Sequence, residues 1–323
     1  MKRKLRLKKE VKFFLVITFS LISIYYIYDY DLNKKEQEQY EATYEYRFTE
    51  KGYSKDDVQK LLNNFNNDML ESFLIEDYNE NIILLLEQKY YISNYFYKYL
   101  EYMEKEKIPV EEVITYVNLG LYEEFYENVK EIDVSTANLM LVNKYYKLPE
   151  GYAPSNLESV SSGYSWGDYG SQKLISEVYE AFLEMATNCK NEQGITLMVS
   201  SSYRSYETQE SLYNAQMNAY GVYYADTVAA RPGHSEHETG YALDILSLEW
   251  SVKNDFNTSK TYAWLIANSH KYGFILRYPE GKEDITGFEY EPWHYRYVGK
   301  EVAEYMYNNN ITFDEYYAYF LEN

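Results

Sequence analysis

Ser235-Glu236-His237-Glu238-Thr239-Gly240-Tyr241-Ala242-Leu243-Asp244 decides how this chain is read, together with Glu291-Pro292-Trp293-His294 further along. His237, Asp244 and His294 supply two imidazoles and one carboxylate, a borderline-soft donor set that suits zinc. Three protein ligands leave the fourth tetrahedral position for water, which marks a catalytic rather than a structural site. Glu291, three residues before His294, is placed to act as general base for that water. The chain has only 4 histidines, and His234, His237 and His294 lie in or beside these two segments. Pro232-Gly233 ahead of the first segment and Gly240 within it let the backbone turn before the ligand and again before Asp244. Tyr241–Ile245 then reads as a short strand that would hold Asp244 on a rigid element.

The first stretch resembles the SxHxxGxAxD signature of the VanY-type D-alanyl-D-alanine carboxypeptidases, zinc peptidases that act on bacterial cell-wall peptides. Three other stretches share the likeness. Leu141-Val142-Asn143-Lys144 with Leu148-Pro149, Tyr152 and Pro154 is similar to the family's domain opening. Ser201-Ser202-Tyr203-Arg204-Ser205-Tyr206 with Gln209 is similar to its substrate-arginine segment, and Glu291-Pro292-Trp293-His294 to its base-and-ligand segment. The resemblance covers about residues 135–310, in order.

Position by position, the resemblance implies that His237, Asp244 and His294 bind zinc and that Glu291 activates water. Arg204 would meet the substrate carbonyl or its terminal carboxylate, Ser235 would contact the peptide, and Gln209, on the helix after Arg204, would face the same pocket. The implied reaction removes the C-terminal D-alanine from peptidoglycan stem peptides. An L,D-carboxypeptidase acting on tetrapeptide stems is the rival within the same chemistry. A non-catalytic wall-binding protein is the rival outside it, although such proteins lose a ligand or the base and all four positions are filled here. Outside the motifs, His234 reads as a loop-exposed residue, His270 as a helix-end residue beside Gly273, and Trp293 as packing beneath the last ligand.

The chain carries 31 basic against 51 acidic residues among 323, a formal net charge of −20, which argues against nucleic acid as a partner. A single cysteine, Cys189, excludes an intramolecular disulfide and a cysteine metal pair; it reads as a small hydrophobe near a helix end. The 42 tyrosines exceed ordinary usage and have no evident physical cause.

The charge is uneven. Lys2, Arg3, Lys4, Arg6, Lys8, Lys9 and Lys12 precede the apolar run Phe13–Tyr28, and Asp29 and Asp31 follow it. Basic before and acidic after points to a cytoplasmic N-terminus, a single-pass anchor in the cell membrane and an extracellular catalytic domain. The run is about 24 Å long as a helix, short of a ~30 Å hydrocarbon core, so Val11 and a snorkelling Lys12 would have to extend it. That length also suits the apolar region of a cleaved signal peptide, the alternative to an anchor, although no small-x-small cleavage site follows.

Four segments are expected: a basic tail and anchor over 1–28, a linker over 29–50, a helical module over 51–132 and a zinc carboxypeptidase domain over 133–323. In the module, Val58, Leu61, Leu62 and Phe65 recur at helical spacing behind a Ser54/Asp57 capping box. Ile82–Leu86, Tyr95–Met103 and Val110–Val117 continue the pattern, with Pro109 at a helix start. The module reads as a spacer. The catalytic region mixes periods: an amphipathic helix from Leu174 to Leu183, a strand Ile195–Val199 leading to Arg204, and a helix over Tyr206–Ala219. Beyond the zinc strand come a helix over Tyr262–Tyr272 and strands over Phe274–Tyr278 and Phe288–Tyr297. This is an α+β fold, a small mainly antiparallel sheet with flanking helices carrying the zinc site.

Overall fold

The computed structural model describes residues 9–166, 172–250 and 255–322. The chain divides into two compact units between Glu111 and Glu112. The first is entirely helical: α1 (Lys9–Glu50), α2 (Lys55–Asn64), α3 (Asn67–Ile75), α4 (Glu80–Leu86), α5 (Phe96–Glu106) and the start of α6 (Val110–Leu119). The Ser54/Asp57 capping box opens α2 as its sequence anticipates. Phe65 packs on Phe73 and Phe96 with ring centroids 5.0 and 4.7 Å apart, so three helices share one aromatic centre.

One N-terminal expectation needs correction. The span 29–50 is not an irregular linker but the second half of α1. Its polar composition hides a short inward stripe: Tyr44 and Phe48 are buried, and Phe48 meets Tyr53 at 5.4 Å. Arg47 and Tyr44 both donate to the Glu71 carboxylate, which fastens the end of α1 to α3. Among the described residues no helix is long and apolar enough to cross a membrane. The basic tail from Lys2 to Lys8 lies outside the described residues.

The second unit starts earlier than position 133. Its first strand pair, β1 (Lys130–Glu131) with β2 (Tyr146–Lys147), draws on residues assigned above to the helical module, and this two-residue pair is parallel. A short antiparallel pair follows, β3 (Leu157–Ser159) with β4 (Lys173–Ile175). The main sheet has the order β5-β6-β8-β7, antiparallel throughout, from β5 (Leu197–Ser201), β6 (Ala242–Ser247), β7 (Phe274–Leu276) and β8 (His294–Tyr297). Its helices are α7 (Ser176–Gln193), α8 (Tyr206–Tyr220), α9 (Val222–Val228), α10 (Lys260–Asn268), α11 (Glu283–Thr286), α12 (Lys300–Asn309) and α13 (Phe313–Phe320). The small antiparallel sheet with flanking helices is therefore the observed fold.

Strand periodicity sorts the sheet's two faces. Val199, Leu243, Ile245 and Tyr295 join Val178, Phe182 and Met185 of α7 in the main core, which also buries Cys189. The alternate positions, Asp244, His294 and Arg296, point to the other face. Hydrophobic burial thus fixes which residues remain to build a site.

Truncating Phe96, 1% exposed at the aromatic centre of the first unit, should destabilise that unit by about 3–5 kcal/mol. Hydrogen exchange on Phe96→Ala should show lost protection across α2–α5 with protection of β5–β8 unchanged. Equal loss in both would mean that they unfold as one.

Candidate active site

His237 sits on a single 3-10 turn, Glu236–Thr239, that ends at Gly240. Gly240 has φ +76°, and a Cβ there would come within 3.1 Å of Ile175 Cγ1 and 3.2 Å of Leu157 Cδ2. Only a bare backbone turns from ligand to strand in that space. Four residues on, Asp244 faces His294 across β6 and β8. The flanking bonds, Ile245 N–H to Trp293 O (2.8 Å) and Tyr297 N–H to Tyr241 O (2.9 Å), put this pair at a narrow, non-hydrogen-bonded position, where facing side chains come closest.

The donor atoms of His237, Asp244 and His294 all lie within 4.8 Å of one another, and all three residues are buried. Each imidazole is oriented by a second bond. His237 Nδ1 lies 2.8 Å from Ser202 O, so it is the donor, and Nε2 turns to Asp244 Oδ1 at 3.4 Å. His294 is the reverse: Nδ1 faces Asp244 Oδ1 at 3.2 Å, while Nε2 faces Glu236 Oε2 at 3.5 Å. Two imidazoles and a carboxylate, with outer partners that fix the ring tautomers, fit a tetrahedral zinc ion.

The Glu291 carboxylate stands 3.6 Å from His294 Nδ1 and is a quarter exposed, at the open side of the cluster. Its position is set by its backbone, whose N–H donates to Tyr278 O (3.1 Å). The Arg204 guanidinium donates to Ser201 Oγ (2.8 Å) and Gln209 Oε1 (3.2 Å), and lies 4.0 Å from Asp244 Oδ2. A register shift between Val199 and Ser201 turns β5 toward it. Gln209 is buried, and its amide nitrogen donates to Ala230 O (2.8 Å). Both ends of that amide are engaged, so it steadies Arg204. Ser235 and Trp293 line the same cavity, of about 210 Å3, with all of these groups. All seven site residues expected from sequence come together there.

One buried network, centred on Glu236, escaped the sequence reading. Glu236 is fully buried, and its Oε1 accepts from Arg277 Nε (2.7 Å) and Arg296 Nη1 (3.0 Å). Arg277 continues to Asp314, which also takes the Asn143 amide at 2.8 Å. Burial opposes the Glu236 charge, but the two guanidiniums hold its carboxyl well below the usual carboxylate range. The available signal was an arginine inside each of two short apolar stretches, Phe274–Tyr278 and His294–Tyr297: a guanidinium in a sheet needs a buried acid. His234 also needs correction. It is 9% exposed, and its Nδ1 lies 2.7 Å from Asn143 O, because the loop it belongs to packs on the segment that opens the domain. His270 lies, as expected, in the turn ended by Gly273, stacked 3.7 Å from the Tyr307 ring.

The two histidines differ in proton affinity. Burial and the nearby Arg204 charge push His237 down to about 4. Burial works against the His294 proton too, but hydrogen bonds to Asp244 and Glu236 and the Glu291 charge lift it to about 9.

Such a site belongs to a metal-dependent hydrolase. The family profile described as "VanY: D-alanyl-D-alanine carboxypeptidase" matches residues 171–300. The putative carboxypeptidase YodJ of Bacillus subtilis is 36% identical over 206 residues, spanning 61% of this chain and 76% of that protein. A D-alanyl-D-alanine carboxypeptidase of Enterococcus faecalis is 32% identical over 209 residues, 59% of this chain and 72% of that one. The solved L,D-carboxypeptidase LdcB superposes with a TM-score of 0.56 at 37% identity, over 60% of this chain and 91% of its own. The chain belongs to the VanY family of D-alanyl-D-alanine carboxypeptidases, and it is a metallopeptidase with zinc as cofactor.

Zinc requires both imidazoles neutral, so binding near pH 7.5 should release about one proton, from His294. Above pH 9 that nitrogen is already bare and the release should fade; near pH 4 the His237 proton should add to it. Calorimetry in buffers of different ionisation enthalpy reads the number directly, and zero release at pH 7.5 would contradict His294 Nδ1 as a ligand. Glu236→Gln should cost about 3–5 kcal/mol in stability by leaving Arg277 and Arg296 short of their counter-charge. It should also weaken zinc binding roughly 10–100-fold, as checked by denaturant titration and metal competition.

Proposed function

We propose that this protein is a zinc-dependent D,D-carboxypeptidase that removes the C-terminal D-alanine from peptidoglycan stem peptides outside the cytoplasmic membrane. The observation that carries this reading is the convergence of His237, Asp244, His294, Glu291 and Arg204 on one cavity. A wall-binding protein without turnover would not need both a complete ligand set and a carboxylate at its open side. When bound by the two imidazoles and Asp244, zinc supplies Lewis-acid polarisation of the scissile carbonyl and lowers the pKa of water.

The chain's own groups do the rest. Glu291 accepts the proton of the attacking water and returns it to the amine of the departing D-alanine. Arg204, steadied by Ser201 and Gln209, offers a planar fork to the substrate's terminal carboxylate, or a cation to the oxygen on which charge develops. Ser235 borders the path of the peptide. Trp293 and Phe288 give the cavity apolar walls that limit water.

The likeness to LdcB, whose structure is described as that of an L,D-carboxypeptidase, favours a second reading, cleavage of the tetrapeptide stem before its single D-alanine. Incubation with pentapeptide and tetrapeptide stems, with released residues identified by mass spectrometry, decides between them. D-alanine from the pentapeptide alone supports the first reading, and D-alanine from the tetrapeptide the second. Glu291→Gln should retain zinc and lose on the order of 10² or more in turnover on either substrate, because an amide cannot accept the water proton. Near-normal turnover in that variant would remove Glu291 from the role.

A further inference from the structure

A second cleft, of about 830 Å3, opens beside the catalytic cavity, and Phe288 belongs to the walls of both. Along their shared edge the Glu289 N–H donates to Thr227 O at 3.4 Å. Nothing in the reaction above uses this cleft. Lys144 lies within it, only 3% exposed. Among the described residues its Nζ meets no hydrogen-bond acceptor and no carboxylate; it sits over the rings of Phe125 and Phe288 at 4.4 and 4.6 Å, with Tyr126 at 5.9 Å.

The enclosure is closely fitted. At Gly287 an added Cβ would lie 2.9 Å from Phe125 Cζ and 3.1 Å from Lys144 Cδ, so ring and lysine stem close over bare backbone. Burial pulls the ammonium pKa down to about 8. Aromatic faces compensate a desolvated ammonium only in part. Asp226, which lines the same cleft, offsets that burial only at a distance, and a carboxylate reaching Nζ would supply the direct partner. A simple anion meets an obstacle, because Glu283, Asp284 and Glu289 also line the cleft. Those acids suit a cation carried on the same molecule.

We propose that this cleft is a second ligand site, which takes a zwitterionic α-amino acid group with its carboxylate on Lys144 and its ammonium against the acidic wall. The assignment does not depend on which stem peptide the catalytic cavity cleaves. Binding here can be read with no turnover at all.

The test is a footprint on the full-length wild-type protein: a short pulse of acetic anhydride at pH 8, with acetylation of each lysine quantified by mass spectrometry. Millimolar D-alanine should protect Lys144 several-fold. N-acetyl-D-alanine, which lacks the ammonium, and D-alaninamide, which lacks the carboxylate, should protect it far less. Protection by a stem peptide bearing an amino-acid zwitterion on a side chain, without protection by D-alanine, would assign the group to a peptide rather than to a free amino acid. In ligand-observed NMR on the Arg204→Ala background, which removes carboxylate capture in the catalytic cavity, Lys144→Met should weaken the remaining D-alanine binding at least tenfold. Equal protection by all three small molecules, protection by none of the probes, or unchanged binding in Lys144→Met would overturn the proposal. The wild-type footprint keeps the question decidable even if Lys144→Met folds poorly.

Discussion

The arrangement rests on one buried carboxylate. Glu236 lies between Arg277 and Arg296, fully shielded from solvent, and its second oxygen faces the outer nitrogen of His294. Through these contacts the 3-10 turn that carries His237 is tied to β8 and to the end of β7, and through Asp314 to α13. A buried ion network of this kind is a poor source of net stability, since desolvation consumes most of the Coulomb gain. It is an effective source of geometry, because each guanidinium accepts only a few orientations. The metal site draws on that stiffness: two ligands on separate elements are held in one mutual position before any ion arrives.

The same economy explains the unlike histidines. Both rings are buried and both face Asp244, yet one leans on a backbone carbonyl and an arginine while the other leans on two carboxylates. The site is thus asymmetric in proton affinity although it is nearly symmetric in ligand type. That asymmetry comes from the bonds to Asp244 and Glu236 and from the unlike charges of Arg204 and Glu291 beside the two rings.

Much of this was legible in the sequence, and the pattern of success has a physical cause. His237, Asp244, Glu291 and His294 could be read because each pair is separated by a short, fixed spacing that a turn or a strand converts directly into geometry. Arg204 and Gln209 were legible only through the resemblance of their segment to the family's substrate-arginine segment. Glu236 with Arg277, Arg296 and Asp314 could not be read the same way, since their contact depends on pairing across the sheet. His234 was misplaced for a similar reason: a loop that looks solvent-bound alone is covered by a segment 91 residues away in sequence. At the N-terminus, a polar composition suggested a linker where Tyr44 and Phe48 fasten a helix, because two buried positions suffice when the rest of the surface remains in water.

The pairing of Asp244 with His294 makes the sheet's registration and the donor geometry one and the same property. Sliding β8 by a single residue would swap its faces, carrying His294 into the apolar core and Tyr295 into the cavity. The stretch Leu212–Ala229, between β5 and β6, is under no such rule. It carries neither a donor nor a member of the Glu236 network, yet Leu212, Gln216, Val228 and Ala229 line the cavity, so changes there can reshape its rim while the coordination geometry stays unchanged. A protein built this way can alter what it admits far more readily than what it does.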